Sequence, residues 1–89
     1  MPHAPAEKKK ALARVRRIGG QVQALERALD QGADCGPVLQ QLAAIRGAIN
    51  ALMAEVLESH LREEFAFGDD PRRAQRVDEM TQLVRTYLR

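Results

Sequence analysis

The chain has few of the residues that stabilise small secreted domains or span membranes. It contains one cysteine, no tryptophan and 3% aromatic residues. A single thiol excludes an internal disulfide and fits a reducing compartment. No apolar run is long enough for a transmembrane helix, and no signal-peptide pattern is present. These absences predict a cytoplasmic protein with an aliphatic core and no membrane association.

The composition favours helix throughout the 89 residues. Alanine, leucine, glutamine, glutamate and arginine are abundant, and all five have high helix propensity. No segment alternates apolar and polar residues as a half-buried strand does. The length fits one small domain over residues 1–89. We therefore expect an all-α fold in which residues 1–5 form a flexible N-terminal arm.

Three segments have the apolar spacing of amphipathic helices. We expect them over residues 6–30, 36–66 and 71–88. Gly32 marks the end of the first helix. Asp70 and Pro71 suit the cap and the first position of the third. The apolar residues of the first helix form a stripe that we expect to be buried: Leu12, Val15, Ile18, Val22, Leu25 and Leu29.

The second helix is too long for the rest of the chain to cover. At 1.5 Å per residue it would extend about 45 Å, and its neighbours are shorter. Small residues near its midpoint would let a partner helix approach closely: Ala44, Gly47, Ala48 and Ala51. We expect this segment to be the crossing point of an antiparallel dimer that forms a helical bundle. The alternative is that its alanines only favour helix.

Cys35 and His60 could meet only across such a dimer. They lie at opposite ends of the second helix, about 37 Å apart along its axis. With the two-fold axis near residues 47–48, Cys35 of one subunit would lie beside His60 of the other. Glu64, one turn further, shares the face of His60. The alternative is that Cys35 is a small buried apolar residue.

This set of side chains fits two kinds of chemistry. Cys35 in a first helical turn faces unpaired backbone N–H groups, which favour the thiolate. With His60, Glu64 and His3 it would suit Zn(II), Co(II) or Ni(II). Alternatively, loss of Met1 would leave Pro2 with a secondary amine, which condenses with an aldehyde to an iminium ion. A nearby thiolate could attack that ion and form an N–CH2–S bridge, as suits a one-carbon aldehyde.

The net charge of +2 hides a segregation along the chain. Residues 1–27 carry seven basic and two acidic residues, and residues 71–89 carry five basic and two acidic residues. Residues 28–70, between them, carry two basic and eight acidic residues. The basic first segment would suit binding to an anionic partner such as DNA, and the residues that we expect to contact it are Lys10, Arg14, Arg16, Arg17 and Gln21. Of these, Lys10, Arg14, Arg17 and Gln21 form what we call the basic stripe, expected on the outer face of the first helix. Repeated in an oligomer, it would bind phosphates; the alternative is a solvated helix face.

Several stretches resemble the CsoR/RcnR family of bacterial metal- and aldehyde-responsive transcriptional repressors. They are "RVRRIGGQVQALERALD", the cysteine at 35 and "VLQQLAAIRGAINALMAEVLESHL". The resemblance covers nearly the whole chain. It implies three-helix chains that assemble as a dimer of dimers, a homotetramer, and bind operator DNA through the first helix. The family's sensor positions match Cys35 and His60, contributed by different subunits.

Position 64 separates the branches of this family. Copper sensors carry cysteine there and nickel/cobalt sensors carry histidine, whereas this chain has Glu64. "MPH", "EKKKALARVRRI" and "ALMAEVLESH" are most similar to the formaldehyde-responsive branch. That branch implies an intersubunit methylene crosslink between Pro2 and Cys35, which releases the operator of formaldehyde-detoxification genes. It requires no cofactor.

Two alternatives stand beside this function, and the second belongs to a different class. The first is a repressor responsive to Zn(II), Co(II) or Ni(II), with His3, Cys35, His60 and Glu64 as ligands. The second is a thiol enzyme acting on aldehydes, which we reject because the chain offers no cavity-forming loops and no base with an orienting partner. The Gly19–Gly20 pair inside the first helix has no functional account.

Overall fold

The computed structural model describes residues 2–66 and 71–87, and over these ranges the chain is helical without a strand. Its helices are α1 (Pro5–Asp30), α2 (Cys35–Ala66) and α3 (Arg73–Tyr87). The predicted all-α, three-helix chain with a long central helix is thereby confirmed. None of the described helices is long and apolar enough to cross a membrane.

Both ends of α1 follow from local sequence. Pro5 occupies the first turn, where its missing N–H would have no helical partner. At the other end Gly32 has a φ of 72°, a left-handed conformation that favours glycine. The N–H of Gly32 donates to the carbonyl of Leu29 at 3.1 Å, and that of Ala33 donates to Ala28 at 2.9 Å. This pair of bonds is a Schellman motif, and it ends the helix where the sequence predicted.

The third helix begins two residues later than expected. Pro71 lies in a turn, and the carbonyl of Arg72 accepts the first helical hydrogen bond from the N–H of Arg76 at 3.0 Å. The helix therefore starts at Arg73. The expected cap, Asp70, lies outside the described residues.

The helices form a single layer. α1 packs against α2, and the chain measures 56 × 28 × 13 Å. The smallest dimension is close to the diameter of one helix with its side chains. Such a layer cannot enclose a core, and among the described residues Ile45 is the one apolar side chain that is buried.

The apolar stripe of α1 is not buried within the chain, contrary to expectation. Its exposed members are Leu12, Val15, Val22 and Leu29, which are 43–59% exposed. The reason is that α1 turns a neighbouring face towards α2, on which Ala11, Arg14 and Ile18 are half-buried. The stripe and α2 together border an open apolar groove, where Leu12 and Val15 face Leu52 and Val56.

Candidate functional site

Cys35 is the first residue of α2, and its thiol is exposed. The first helical hydrogen bond runs from the N–H of Val38 to the carbonyl of Asp34, at 3.3 Å. The thiol therefore lies in the open first turn of a helix, as predicted, and Cys35 is exposed within the single chain. His60 lies on the same helix about 37 Å away along the axis, so one chain does not bring the two together.

The N-terminal arm lies against the C-terminal half of α2. The backbone N–H of His3 donates to Oε1 of Glu63 at 2.9 Å, and the imidazole Nε2 is 4.0 Å from Oε2 of the same carboxylate. The hydrogen bond from His3 is the main reason that the pKa of Glu63 lies below its ordinary value. Pro2 is half-buried beside this contact. The arm thus holds Pro2 near the His60 end of α2 and far from Cys35 of its own chain.

Pro2 lines a small cavity between α1 and α2. The cavity measures about 90 Å³, and its polar lining comes from Glu7, Lys10, Glu55, Glu58, Ser59 and Arg62. Arg62 bridges the two helices at its rim, with nitrogens 3.1 Å from Glu7 and 3.0 Å from Glu58. No sequence pattern predicted this cavity, although the charged residues of α2 that line it, Glu55, Glu58 and Arg62, recur at helical spacing.

His60 and Glu64 are adjacent on α2, as their spacing predicted. Glu64 is 9% exposed, and its Oε1 lies 3.0 Å from Nε of Arg76 on α3 and 3.8 Å from Nε2 of His60. The Nε2 atom of His60 is buried and has no hydrogen-bond partner among the described residues. A buried imidazole nitrogen without a partner can accept a metal ion or a group from another chain.

The four candidate metal ligands are not assembled within one chain. His60 and Glu64 are neighbours, and His3 contacts Glu63, the residue that precedes Glu64 in the chain. Cys35 is at the other end of α2. Across residues 2–66 and 71–87, no group of three or more potential ligands is placed to hold a metal ion. The thiol would have to come from a second chain.

The basic stripe is split between two environments, which corrects its expected position on the outer face. Lys10 and Arg17 are exposed, as is Arg16 beside them, whereas Arg14 and Gln21 are half-buried and face α2. At about 100° per residue the four positions share about 60° of the helix circumference, and Arg14 and Gln21 lie on the side of this arc where the half-buried Ala11 and Ile18 follow.

Arg14 makes the main ion pair of this packed face. Its Nε and Nη2 atoms both donate to Oε1 of Glu55, at 3.0 and 2.7 Å. The two side chains are 27% and 22% exposed. Their hydrogen bonds hold the pKa of Glu55 below its ordinary value and raise that of Arg14. Glu55 was not singled out from the sequence, because a lone acid opposite a distant arginine leaves no local pattern.

Comparison with known proteins identifies the family. Residues 7–86 match the family described as "Metal-sensitive transcriptional repressor". The chain is 43% identical over 90 residues to the transcriptional repressor RcnR of Salmonella arizonae, with both chains fully covered. It is 50% identical over 91 residues to an uncharacterized protein encoded in the bioA 5′ region of Serratia marcescens, again with full coverage of both.

A solved structure is similar in both fold and sequence. It is the E64H variant of the formaldehyde-responsive regulator FrmR from Salmonella enterica serovar Typhimurium, with a TM-score of 0.87 and 51% identity. The alignment covers 97% of this chain and 99% of that one. RcnR is a transcriptional repressor and FrmR is a formaldehyde-responsive regulator, and the matching family is one of transcriptional repressors, not enzymes. The chain therefore belongs to the family of metal-sensitive transcriptional repressors.

Proposed function

We propose that this repressor binds operator DNA in the cytoplasm and is released from it by formaldehyde, which links Pro2 of one subunit to Cys35 of another. The observation that carries the proposal is the position of the arm. Pro2 lies at the His60 end of α2, and the exposed thiol of Cys35 lies at the opposite end. In an antiparallel dimer crossing near residues 47–48, these opposite ends would be neighbours.

The exposed apolar surface supports self-association. Besides the stripe on α1, α2 leaves Leu39, Leu42 and Ile49 at least 41% exposed. Monomeric soluble proteins rarely expose large contiguous apolar surfaces. We propose that an antiparallel dimer covers them, and that two such dimers form a homotetramer.

The proposed crosslink balances without an oxidant. The secondary amine of Pro2 adds to formaldehyde and loses water to give an iminium ion. The thiolate of Cys35 then forms a bond to its carbon. Overall the amine and the thiol each lose one hydrogen, one water leaves, and one carbon joins the subunits. The link fixes the N-terminal arm to α2 of the neighbour and favours a conformation that presents the basic side chains poorly to DNA.

Mass spectrometry and DNA binding test this proposal together. Brief formaldehyde treatment should join the Pro2 and Cys35 peptides with the gain of one carbon, and should release DNA. Cys35→Ala should abolish both effects. Pro2→Ser should sharply slow them, while Pro5→Ser, which keeps the Pro2 amine, should behave like the parent. If Cys35→Ala retains the full response to formaldehyde, the proposal is wrong.

A second candidate is a repressor that responds to Zn(II), Co(II) or Ni(II). The specific observation in its favour is the buried, unpartnered Nε2 of His60 beside Glu64. His3, His60 and Glu64 would hold the ion together with Cys35 of another subunit, a mixed donor set that suits these metals. A bound ion would hold these four side chains together. Because His3 belongs to the N-terminal arm, the ion would restrain that arm.

Cobalt absorption distinguishes the two candidates. Glu64→His should raise Co(II) affinity, because imidazole is the better ligand for this ion. Cys35→Ala should remove the sulfur-to-cobalt charge-transfer band. If Co(II) releases DNA from the parent and formaldehyde does not, the metal-responsive function replaces the first proposal. The exposed Glu58→His is the matched control and should leave Co(II) affinity unchanged.

A further inference from the structure

Arg14 belongs to the basic stripe by sequence but to the contact between α1 and α2 by structure. Its Nε and Nη2 atoms are both committed to one oxygen of Glu55. Lys10, one turn earlier, is close enough that its charge also lowers the pKa of Glu55. Glu55 therefore places a carboxylate against two of the cations that we assign to DNA.

A guanidinium group recognises carboxylate and phosphate with the same set of donors. Arg14 cannot direct its Nε and Nη2 at Glu55 and at a phosphate at once. Its 27% exposure means that the side chain reaches the surface without leaving the helix contact. A phosphate that takes these two donors would therefore displace Glu55.

We propose that Glu55 is an internal competitor of DNA, which holds Arg14 against α2 and must be displaced by an operator phosphate. This inference rests on the DNA-binding function proposed above. It makes Glu55 a positioning residue that lowers operator affinity, although it lies on α2 and not on the DNA-binding helix. The exchange keeps the affinity of the repressor within a range that an effector can overcome.

The same carboxylate borders the cavity that holds Pro2. Its second oxygen, Oε2, is buried and makes no hydrogen bond to any described residue. Withdrawal of Pro2 from this cavity by a crosslink to another subunit would change the surroundings of Glu55. Glu55 thus provides a direct physical connection between the effector site and Arg14.

The test is a double-mutant cycle on operator affinity. The probe is a fluorescent duplex selected by the parent protein from a random-sequence pool, with binding followed by anisotropy at fixed salt. Glu55→Gln should tighten binding at least about threefold, the range of a partly exposed ion pair. The control is Glu58→Gln, which removes an equal charge from the same cavity but pairs with Arg62. In an Arg14→Ala background, the effect of Glu55→Gln should fall to that of Glu58→Gln.

A second variant separates the contact from the net charge. Glu55→Asp keeps the charge and draws the carboxylate back by one methylene, so it should also tighten binding, whereas Glu58→Asp should not. Equal effects at positions 55 and 58, or weaker binding by both Glu55 variants, would overturn the inference. If the parent selects no duplex at all, the proposed DNA-binding function itself fails.

Discussion

The backbone N–H of His3 donates to Oε1 of Glu63 at 2.9 Å, although the two residues are 60 positions apart in the chain. This hydrogen bond sets the position of the N-terminal arm within its own subunit. The reactive amine that we assign to Pro2 is therefore positioned before any partner chain or aldehyde arrives. Reactions between pre-positioned groups gain much of their rate from this loss of freedom.

Removal of the Glu63 acceptor should slow the crosslink. We expect Glu63→Ala to lower the rate of the Pro2–Cys35 linkage several-fold, because the arm then samples many positions. Glu63→Gln keeps an amide oxygen as acceptor and should restore most of the rate. Intact-mass spectra at timed intervals after formaldehyde addition measure this directly. Equal rates for the alanine and glutamine variants would show that the hydrogen bond does not position the arm.

The exposed cations of α1 should contribute to DNA binding mainly by neutralising phosphates. Arg17→Ala should weaken operator affinity and reduce the slope of log K against log salt concentration, by about one for each phosphate that Arg17 neutralises in the bound assembly. Arg27→Ala, an exposed arginine in the last turn of the same helix, serves as the control. Should both variants match the parent across the salt titration, the exposed cations of α1 are only a solvated helix face.

The Arg14–Glu55 pair should make part of the stability depend on pH. The folded-state pKa of Glu55 lies below its ordinary value, chiefly through hydrogen bonds from Arg14. Its contribution is therefore complete above the unfolded-state pKa and is lost as the pH falls through the folded-state value. We expect the melting temperature of Glu55→Gln to fall less than that of the parent between neutral pH and pH of about 3. Identical pH profiles would contradict this assignment.

Gly32 should be the glycine least tolerant of substitution. Its φ of 72° is strained for any residue with a Cβ, so Gly32→Ala should destabilise the fold by about 1 kcal/mol. Gly20, inside α1, has nothing within 4 Å of an added Cβ. Gly20→Ala should consequently stabilise the helix by about 0.5–1 kcal/mol. Thermal unfolding of both variants tests the pair, and a stabilising Gly32→Ala would refute the argument.

Sequence patterns correctly predicted the features that are set by residues close together in the chain. The helix end at Gly32, the position of Cys35 in a first helical turn and the adjacency of His60 and Glu64 all follow from spacing or from backbone preference. The contacts across helices did not follow. Which face α1 turns to α2 depends on the fit of the whole interface: of the six stripe residues, Ile18 and Leu25 are half-buried within the chain and the other four are exposed.

The missed residues share one property, which is that their partners are distant in sequence. Glu55 is 41 positions from Arg14, and Glu63 is 60 positions from His3. Each is an ordinary helical glutamate until its partner is known. Asp70 itself lies outside the described part of the chain, but α3 starts at Arg73 with Arg72 at its N-cap position, so the predicted start of this helix was two residues too early.

The 13 Å thickness of the chain has a consequence for how the repressor is made. A single layer of helices has no interior of its own, so in the dimer that we propose association would add to the folding free energy, and stability should rise with concentration. A newly made chain would carry an amine and a thiol that cannot reach each other. The ability to respond would then appear only as subunits accumulate and pair, which ties the onset of sensing to the amount of repressor present.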